Sequence, residues 1–291
     1  DVVTAACDLV HASDDTHEDL FWALRGGGGG FGVVTAFEFQ LHPVDQVYAG
    51  SLVYPHDQLP AVARRYESFM RDAPRDVRLL FGSMVLPAAP YFPESIHDTR
   101  VAICIAFHAG PPEAGERELA PLREVGEPLF DSLRPRPYAA FQQAGESRGS
   151  LRTHLRSQYL ASLPDEAIET IAEHASDAPS AGATVFLSPR GGAETDPAPD
   201  ATAYPHRDAA HHLLVEARWD DPAADDAHVE WVQRFADAVA PFTTGDAALN
   251  FLTDDEAAAR ADATYGENRE RLIEVKRRWD PEGLFSAVAP V

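Results

Sequence analysis

The sequence predicts an α+β fold in which helices cover one face of an antiparallel β-sheet. Apolar runs predict strands over 77–86, 100–108 and 211–219, and the second of them alternates as Val101, Ile103, Ile105 and Phe107. Apolar residues spaced three and four apart predict amphipathic helices over 59–69 and 229–239. The strands cluster with hairpin-type spacing, which favours antiparallel pairing over a parallel sheet.

Other segments extend this pattern without forming an internal repeat. The stretch 191–205 is rich in Ala, Asp and Pro and predicts a surface loop. The remaining predicted elements are a hairpin over 2–12, strands over 48–54 and 183–187, a helix over 168–175, and a helix over 113–133 that is broken at Pro121 and Pro128.

Composition excludes several classes of function. The net charge of −23 repels phosphate backbones and anionic membranes, so we expect neither nucleic acid nor a membrane as partner. No apolar run approaches the roughly 20 residues that span a bilayer. Cys7 and Cys104 stand far apart, which argues against a zinc site or a disulfide framework and agrees with a cytoplasmic location.

A run of five glycines, Gly26 to Gly30, lies between a predicted helix and a predicted strand over 33–41. Thr16, with Asp19 three residues later, predicts the N-cap of that helix. A dinucleotide fingerprint requires a strand before the glycines and a helix after them, so the order here is reversed. Two interpretations remain: a helix end followed by a linker, or a bare backbone surface that a flat or anionic ligand can approach.

The residues around the glycines carry a resemblance to a known family. Asp19-Leu-Phe-Trp-Ala-Leu-Arg followed by the glycine run, Phe-Gly-Val-Val and Thr35 resembles the end of the FAD-binding domain in FAD-linked oxidases of the berberine bridge enzyme-like family. The resemblance implies FAD as the cofactor. It also implies main-chain contacts to the flavin nucleotide from five residues: Gly28, Gly29, Gly30, Gly32 and Val33.

A second match lies near the end of the chain, most clearly over 246–285. It includes Ala263-Thr-Tyr-Gly-Glu-Asn268 and Trp279-Asp-Pro-Glu-Gly-Leu-Phe285. By this resemblance, Asn250 hydrogen-bonds the flavin. The family's tyrosine base corresponds to Ala248, whose methyl group cannot accept a proton.

The resemblance also implies a domain organisation. Residues 1–45 correspond to the last segment of the FAD-binding domain, 46–240 to the substrate domain, and 241–291 to a segment that returns to the FAD domain. Because the sequence starts at Asp1 in a predicted strand, we expect a fragment whose partner is an upstream FAD-binding portion.

Two further residues are candidates for catalysis. Tyr159 and Glu216 lie on segments that the resemblance places beside the substrate cavity, and burial of Glu216 in an apolar strand would make it a usable base. The simpler interpretation puts Glu216 on the solvent face of a half-buried sheet.

The histidines do not predict a metal site. His211 and His212 are neighbours on one strand and should point to opposite faces. His206, beside Arg207, is better explained as a residue that fixes a loop.

Two functions follow from the sequence. One is an FAD-dependent oxidase that transfers a hydride from a hydroxylated small molecule, such as an alcohol or a sugar-like carbon centre, to flavin, with oxygen as acceptor. The other is a flavin-free binding or scaffold protein, or an inactive fragment, derived from the same family. Ala248 and the altered ending over 286–291 favour the second.

Overall fold

The computed structural model describes residues 1–143 and 152–286 and has an α+β architecture, as the sequence predicts. The strands are β1 Val2–Val3, β2 Leu9–Val10, β3 Val33–Val34, β4 Gln46–Pro55, β5 Val77–Val85, β6 Arg100–His108, β7 Phe130–Asp131, β8 Arg134–Pro137, β9 Arg152–Leu160, β10 Ala183–Pro189 and β11 His211–Trp219. The α-helices are α1 Glu18–Leu24, α2 Leu59–Arg71, α3 Pro112–Leu119, α4 Tyr138–Gln143, α5 Asp165–Ser176, α6 Asp225–Val239, α7 Asp254–Ala257, α8 Ala261–Tyr265 and α9 Arg269–Trp279.

The larger sheet is antiparallel and has the strand order β7-β4-β6-β5-β10-β11-β9, with β8 also paired to β4. Helices α2, α5 and α6 cover one face, which we call the inner face. Leu79, Val185 and Val215 point to this face and join Trp231 and Phe235 of α6 in the main core. The periodicity of two along each strand explains why these positions alternate with less buried ones.

The opposite face, which we call the outer face, positions the candidate site. The pairing register aligns Ser188 of β10, His212 of β11 and Tyr159 of β9 in one row across the sheet. The next row contains Phe186, Leu214 and Ser157. A loop that includes Phe92 and Ile96 covers the β4 and β6 side of this face. The side formed by β5, β10, β11 and β9 is the part that concerns function.

A smaller antiparallel sheet, in the order β2-β1-β3, forms a second unit with the end of the chain. Val2, Leu20 and Phe31 are buried in one cluster with Tyr265 and Leu272. The first 34 residues therefore share their core with α8 and α9. The pairing of β1 with β2 confirms the predicted hairpin. The domain boundary near residue 45 remains a prediction.

Three predictions about local structure are wrong. His17, in the left-handed region at φ 51°, stands at the N-cap of α1, and no side chain caps that helix. The strand predicted over 33–41 stops at Val34; Thr35 and Ala36 still bond to the main chain of Asp1, and Phe37 and Phe39 beyond them are exposed. The helix predicted over 113–133 ends earlier, in a 3₁₀ segment over 120–125 followed by β7.

Candidate functional site

The glycine turn, residues 26–32, is held against two other segments of the chain. A Cβ at Gly26, whose φ is +125°, would lie 2.4 Å from the main-chain nitrogen of Tyr204. At Gly28, whose φ is +81°, a Cβ would lie 2.8 Å from a methyl carbon of Leu249. Only glycine fits these two positions without strain. The turn is therefore an ordered part of the fold and not a linker.

Lys276 of α9 fixes the far side of the glycine turn. It is the only lysine in the sequence. Its Nζ donates to the main-chain oxygens of Gly30, at 2.5 Å, and Phe285, at 2.6 Å, and it pairs with the Asp280 carboxylate at 2.5 Å. Asp280 in turn accepts from the main-chain nitrogen atoms of Leu284 and Phe285, both at 2.8 Å. This one ammonium group therefore joins the turn to the segment after α9.

A cavity of about 1020 Å³ opens beside the glycine turn. Phe21 of α1, Arg25 directly after that helix, and the extended segment around Phe37 form parts of its wall. Sites for small molecules commonly enclose about 300–1,000 Å³, so this volume suits a large ligand. Its lining residues are Asp1, Val2, His11–Asp14, Phe21, Leu24, Arg25, Gly28, Gly29, Gly32, Val34 and Ala36–Gln40.

The residues present fit a flavin dinucleotide at this cavity. A Cβ at Gly29 would meet nothing within 4 Å, so the backbone there is open to a close approach from the cavity. The amide groups of Gly28 and Gly29 donate no hydrogen bond to any other described residue. Free amides on a bare backbone suit phosphate or flavin oxygens. Val33 is 55% exposed, whereas Gly30 is buried with its oxygen bonded to Lys276.

An aromatic and polar cluster connects the glycine turn to the outer face of the sheet. The hydroxyl oxygens of Tyr159 and Tyr204 lie 2.8 Å apart. The guanidinium of Arg190 lies 4.9 Å from the ring centre of Tyr159 and 5.3 Å from that of Tyr204. Burial raises the pKa of both phenols, so both keep their protons at neutral pH.

Beyond Tyr159, two polar groups lie on the outer face. The Nε2 atom of His212 is 2.7 Å from Oγ of Ser157. Glu216 pairs with Arg218 at 3.0 Å and accepts from the Thr153 hydroxyl at 3.3 Å. Both Tyr159 and Glu216 therefore point to the outer face but already have partners. Their catalytic roles remain predictions.

The turn around residue 249 brings the two matched regions together. Leu249 touches the glycine turn, and the exposed Asn250 follows it. Ala248, only 7% exposed, packs beside Tyr159 on the other side. The predicted cofactor residues thus lie beside the outer face, although the flavin contact of Asn250 remains a prediction.

The histidines divide as the strand periodicity predicts. His211 lies on the inner face, 2.8 Å from Glu67, whereas His212 lies on the outer face. His206 bonds to the main-chain oxygen of Thr264 at 2.8 Å, and Arg207 bonds to that of Glu194 at 2.6 Å. These contacts confirm that His206 and Arg207 fix a loop. Within the described residues, no three potential ligands form a metal-binding group.

Sequence reasoning missed three residues of the site. Ser157 lies in β9, which was not predicted as a strand, and its contact with His212 depends on the register between β9 and β11. Arg190 follows the end of β10 and reaches the two tyrosines. Lys276 is four residues from Asp280 on α9, a spacing that indicates an ion pair, but its contact with Gly30 spans 246 residues.

Comparisons with known proteins show which proteins this chain is similar to. A family model described as "Berberine and berberine like" matches residues 249–291. An uncharacterized FAD-linked oxidoreductase, YgaK of Bacillus subtilis (strain 168), is 31% identical over 96% of this chain and 60% of its own length. The (R)-6-hydroxynicotine oxidase of Paenarthrobacter nicotinovorans is 28% identical over 98% of this chain and 62% of its own length.

The fold agrees with this class. The structure of Physcomitrella patens BBE-like 1 superposes with a TM-score of 0.86 at 18% identity, covering 100% of this chain and 64% of that one. The chain is thus related to the FAD-linked oxidoreductases of the berberine bridge enzyme-like family, whose cofactor is FAD. It spans about 60% of the length of the curated relatives it matches. None of the described helices is both long and apolar enough to cross a bilayer.

Proposed function

We propose that this chain takes part in an FAD-dependent oxidase that removes a hydride from a hydroxylated small molecule and passes the electrons to oxygen. FAD, when bound, supplies the two-electron acceptor. The chain's own share is to hold the cofactor at the glycine turn and the substrate on the outer face.

This proposal depends on one observation: the glycine turn contacts the segments around Tyr204 and Leu249, which lie beside the outer face. Gly26 touches Tyr204, and Gly28 touches Leu249. Tyr204 in turn contacts Tyr159, and Leu249 directly follows Ala248. The free amides of Gly28 and Gly29 therefore lie close to the outer face. A cofactor bound by these amides would lie next to a substrate on the sheet, which is the arrangement that hydride transfer requires.

The composition of the outer face supports a small organic substrate. Leu80, Phe186 and Leu214 are partly exposed there and present apolar surface. Polar groups flank this surface at His212 and Ser188. An apolar surface with few polar groups is typical of sites that bind small molecules in one orientation. The name of the (R)-6-hydroxynicotine oxidase supports a small organic substrate by similarity.

FAD binding to the chain as given tests the cofactor role. The purified chain is mixed with FAD, separated from free FAD by gel filtration, and scanned between about 300 and 550 nm, where flavin absorbs but protein does not. The Gly29→Leu variant places a side chain in the open space beside the turn without meeting protein atoms. We expect it to weaken FAD binding about tenfold or more while the melting temperature stays unchanged.

Ala227→Leu is the matched control, because Ala227 is exposed on α6, the helix that covers the inner face. It should bind FAD as the unmodified chain does. Equal binding by the Gly29→Leu variant would contradict a cofactor at the glycine turn.

The second candidate function is a flavin-free binding or scaffold protein. Ala248 favours it, because a methyl group lies buried where the resembled family has a tyrosine. A folded chain that binds no FAD in the same experiment would support this candidate and refute cofactor binding by this chain alone.

A further inference from the structure

His212 is the polar group of the outer face whose surroundings suit a proton acceptor. Ser157 Oγ lies 2.7 Å from its Nε2 atom, and the ring lies between Tyr159, at 5.3 Å, and Phe251, at 5.0 Å between ring centres. Its Nδ1 atom has no partner among the described residues. One nitrogen is therefore held in place while the other remains available.

Its environment keeps His212 neutral. Burial and the nearby positive charges of Arg190 and Arg78 lower the pKa of the imidazole to about 4. Glu194 pairs with both arginines, at 2.8 Å and 3.7 Å. From β9, the ring faces Tyr159, which stays protonated, and from the 249–251 turn it faces uncharged Phe251. At neutral pH the ring therefore has a free lone pair.

The alternatives on this face already have partners or cannot accept a proton. Ala248 presents a methyl group. The Tyr159 hydroxyl is shared with Tyr204, and Glu216 is paired with Arg218. A hydroxylated substrate on this face therefore needs another acceptor for its proton.

Building on the proposed function, we propose that His212 accepts the hydroxyl proton of the substrate at Nδ1 and that Ser157 positions the ring. The substrate O–H bond breaks, its electron pair stays on oxygen, and a new N–H bond forms at Nδ1. The hydride that leaves the carbon goes to FAD, as the proposed function requires. For this, Nε2 must carry the hydrogen and donate it to Ser157 Oγ, which leaves the lone pair on Nδ1.

The tautomer can be measured on the chain as given, without cofactor or substrate. Long-range ¹H–¹⁵N correlation spectra of protein labelled with ¹⁵N-histidine are compared with those of His212→Gln, which identifies the His212 signals. At pH 7 we expect an unprotonated Nδ1 and a protonated Nε2, with titration near pH 4. Ser157→Ala should lose this preference and Ser157→Thr should restore it.

His42→Gln removes an exposed histidine that does not line the cavity and should leave the His212 signals unchanged. A hydrogen on Nδ1 in the unmodified chain, or titration at the ordinary value near 6.5, would refute the role of His212 whatever the fate of the oxidase.

Flavin reduction tests the chemistry on the FAD-loaded protein. Single-turnover reduction is followed with three probes that carry a C–H bond at the hydroxyl-bearing carbon: benzyl alcohol, cinnamyl alcohol and xylobiose. With the fastest probe, we expect a rate that is constant from pH 8 to about 5 and falls on the acid side with a midpoint near pH 4, as His212 takes up a proton.

His212→Gln should lower the rate about 100-fold or more and abolish the acid limb, because general base catalysis typically contributes about 10²–10⁴-fold. His42→Gln should match the unmodified protein, because His42 is exposed and outside the cavity lining. If the reduction rate of His212→Gln still falls near pH 4, the role of His212 as proton acceptor is refuted, but the oxidase is not. Failure of every probe to reduce the flavin would refute the proposed oxidase, and the role of His212 with it.

Discussion

Replacing Lys276 with methionine should loosen the glycine turn. Methionine keeps most of the apolar stem but cannot donate to the main-chain oxygens of Gly30 and Phe285. A hydrogen bond that involves a charged group contributes about 1.5–3 kcal/mol, and the two oxygens would lose a shared donor. We therefore expect the free energy of unfolding to fall by about that amount.

The corresponding change in melting temperature follows from the chain length. The entropy of unfolding is about 2.1 cal/mol/K per residue, which for a chain of 291 residues gives roughly 0.6 kcal/mol/K. The Lys276→Met variant should therefore melt about 3–5 °C below the unmodified chain, measured by circular dichroism. If the turn holds FAD, the variant should also bind FAD more weakly.

Arg277→Met is the matched control, because it removes the same charge from the next position of α9, where the side chain is exposed. Its melting temperature should stay within about 1 °C of the unmodified chain, since surface substitutions usually change stability by less than 0.5 kcal/mol. Equal melting temperatures for the two variants would show that Lys276 does not stabilise the turn.

Two further predictions concern the buried groups. Tyr204→Phe removes the partner of the Tyr159 hydroxyl, in a residue only 3% exposed, and should lower the free energy of unfolding in guanidinium by about 1–3 kcal/mol. The control Tyr91→Phe, at a residue 60% exposed, should cause no measurable loss. Equal losses for the two variants would contradict the prediction. Burial raises the pKa of Cys104 to about 12. Iodoacetamide at pH 8 should therefore modify only the exposed Cys7 in the folded chain, and both thiols after unfolding. Rapid modification of Cys104 in the folded chain, measured by mass spectrometry, would contradict its burial.

Much of the larger sheet could be predicted from alternation alone. The predicted strand His211–Trp219 has the bounds that the structure shows, because its apolar side chains face the helices at every second position. Strand β9 could not be predicted in this way. It is an edge strand with mostly polar residues from Arg152 to Ser157, and its existence depends on pairing with β11. The predicted strand over 33–41 has the opposite outcome, since its apolar residues Phe37, Phe39 and Leu41 are exposed in spite of their alternation.

In the candidate site, too, local features could be predicted from the sequence and long-range contacts could not. The glycine turn and Asn250 could be found from short continuous motifs, because each motif is local in sequence. The contact of Ser157 with His212 spans 55 residues, and the contact of Lys276 with Gly30 spans 246. Such contacts depend on strand register and helix docking, which no local pattern encodes.

The neighbouring histidines of β11 show how much chemistry depends on one step along a strand. A shift of β11 by one residue against β10 and β9 would exchange the two rings and move Glu216 under the helices. His212 would then meet Glu67, and the hydroxyl of Ser157 would lose its imidazole. For a relative with one residue inserted within β11, an unchanged histidine pair would therefore not mean an unchanged site. A sequence alignment of this region is informative about the site only when it keeps each residue of β11 on the same face of the sheet.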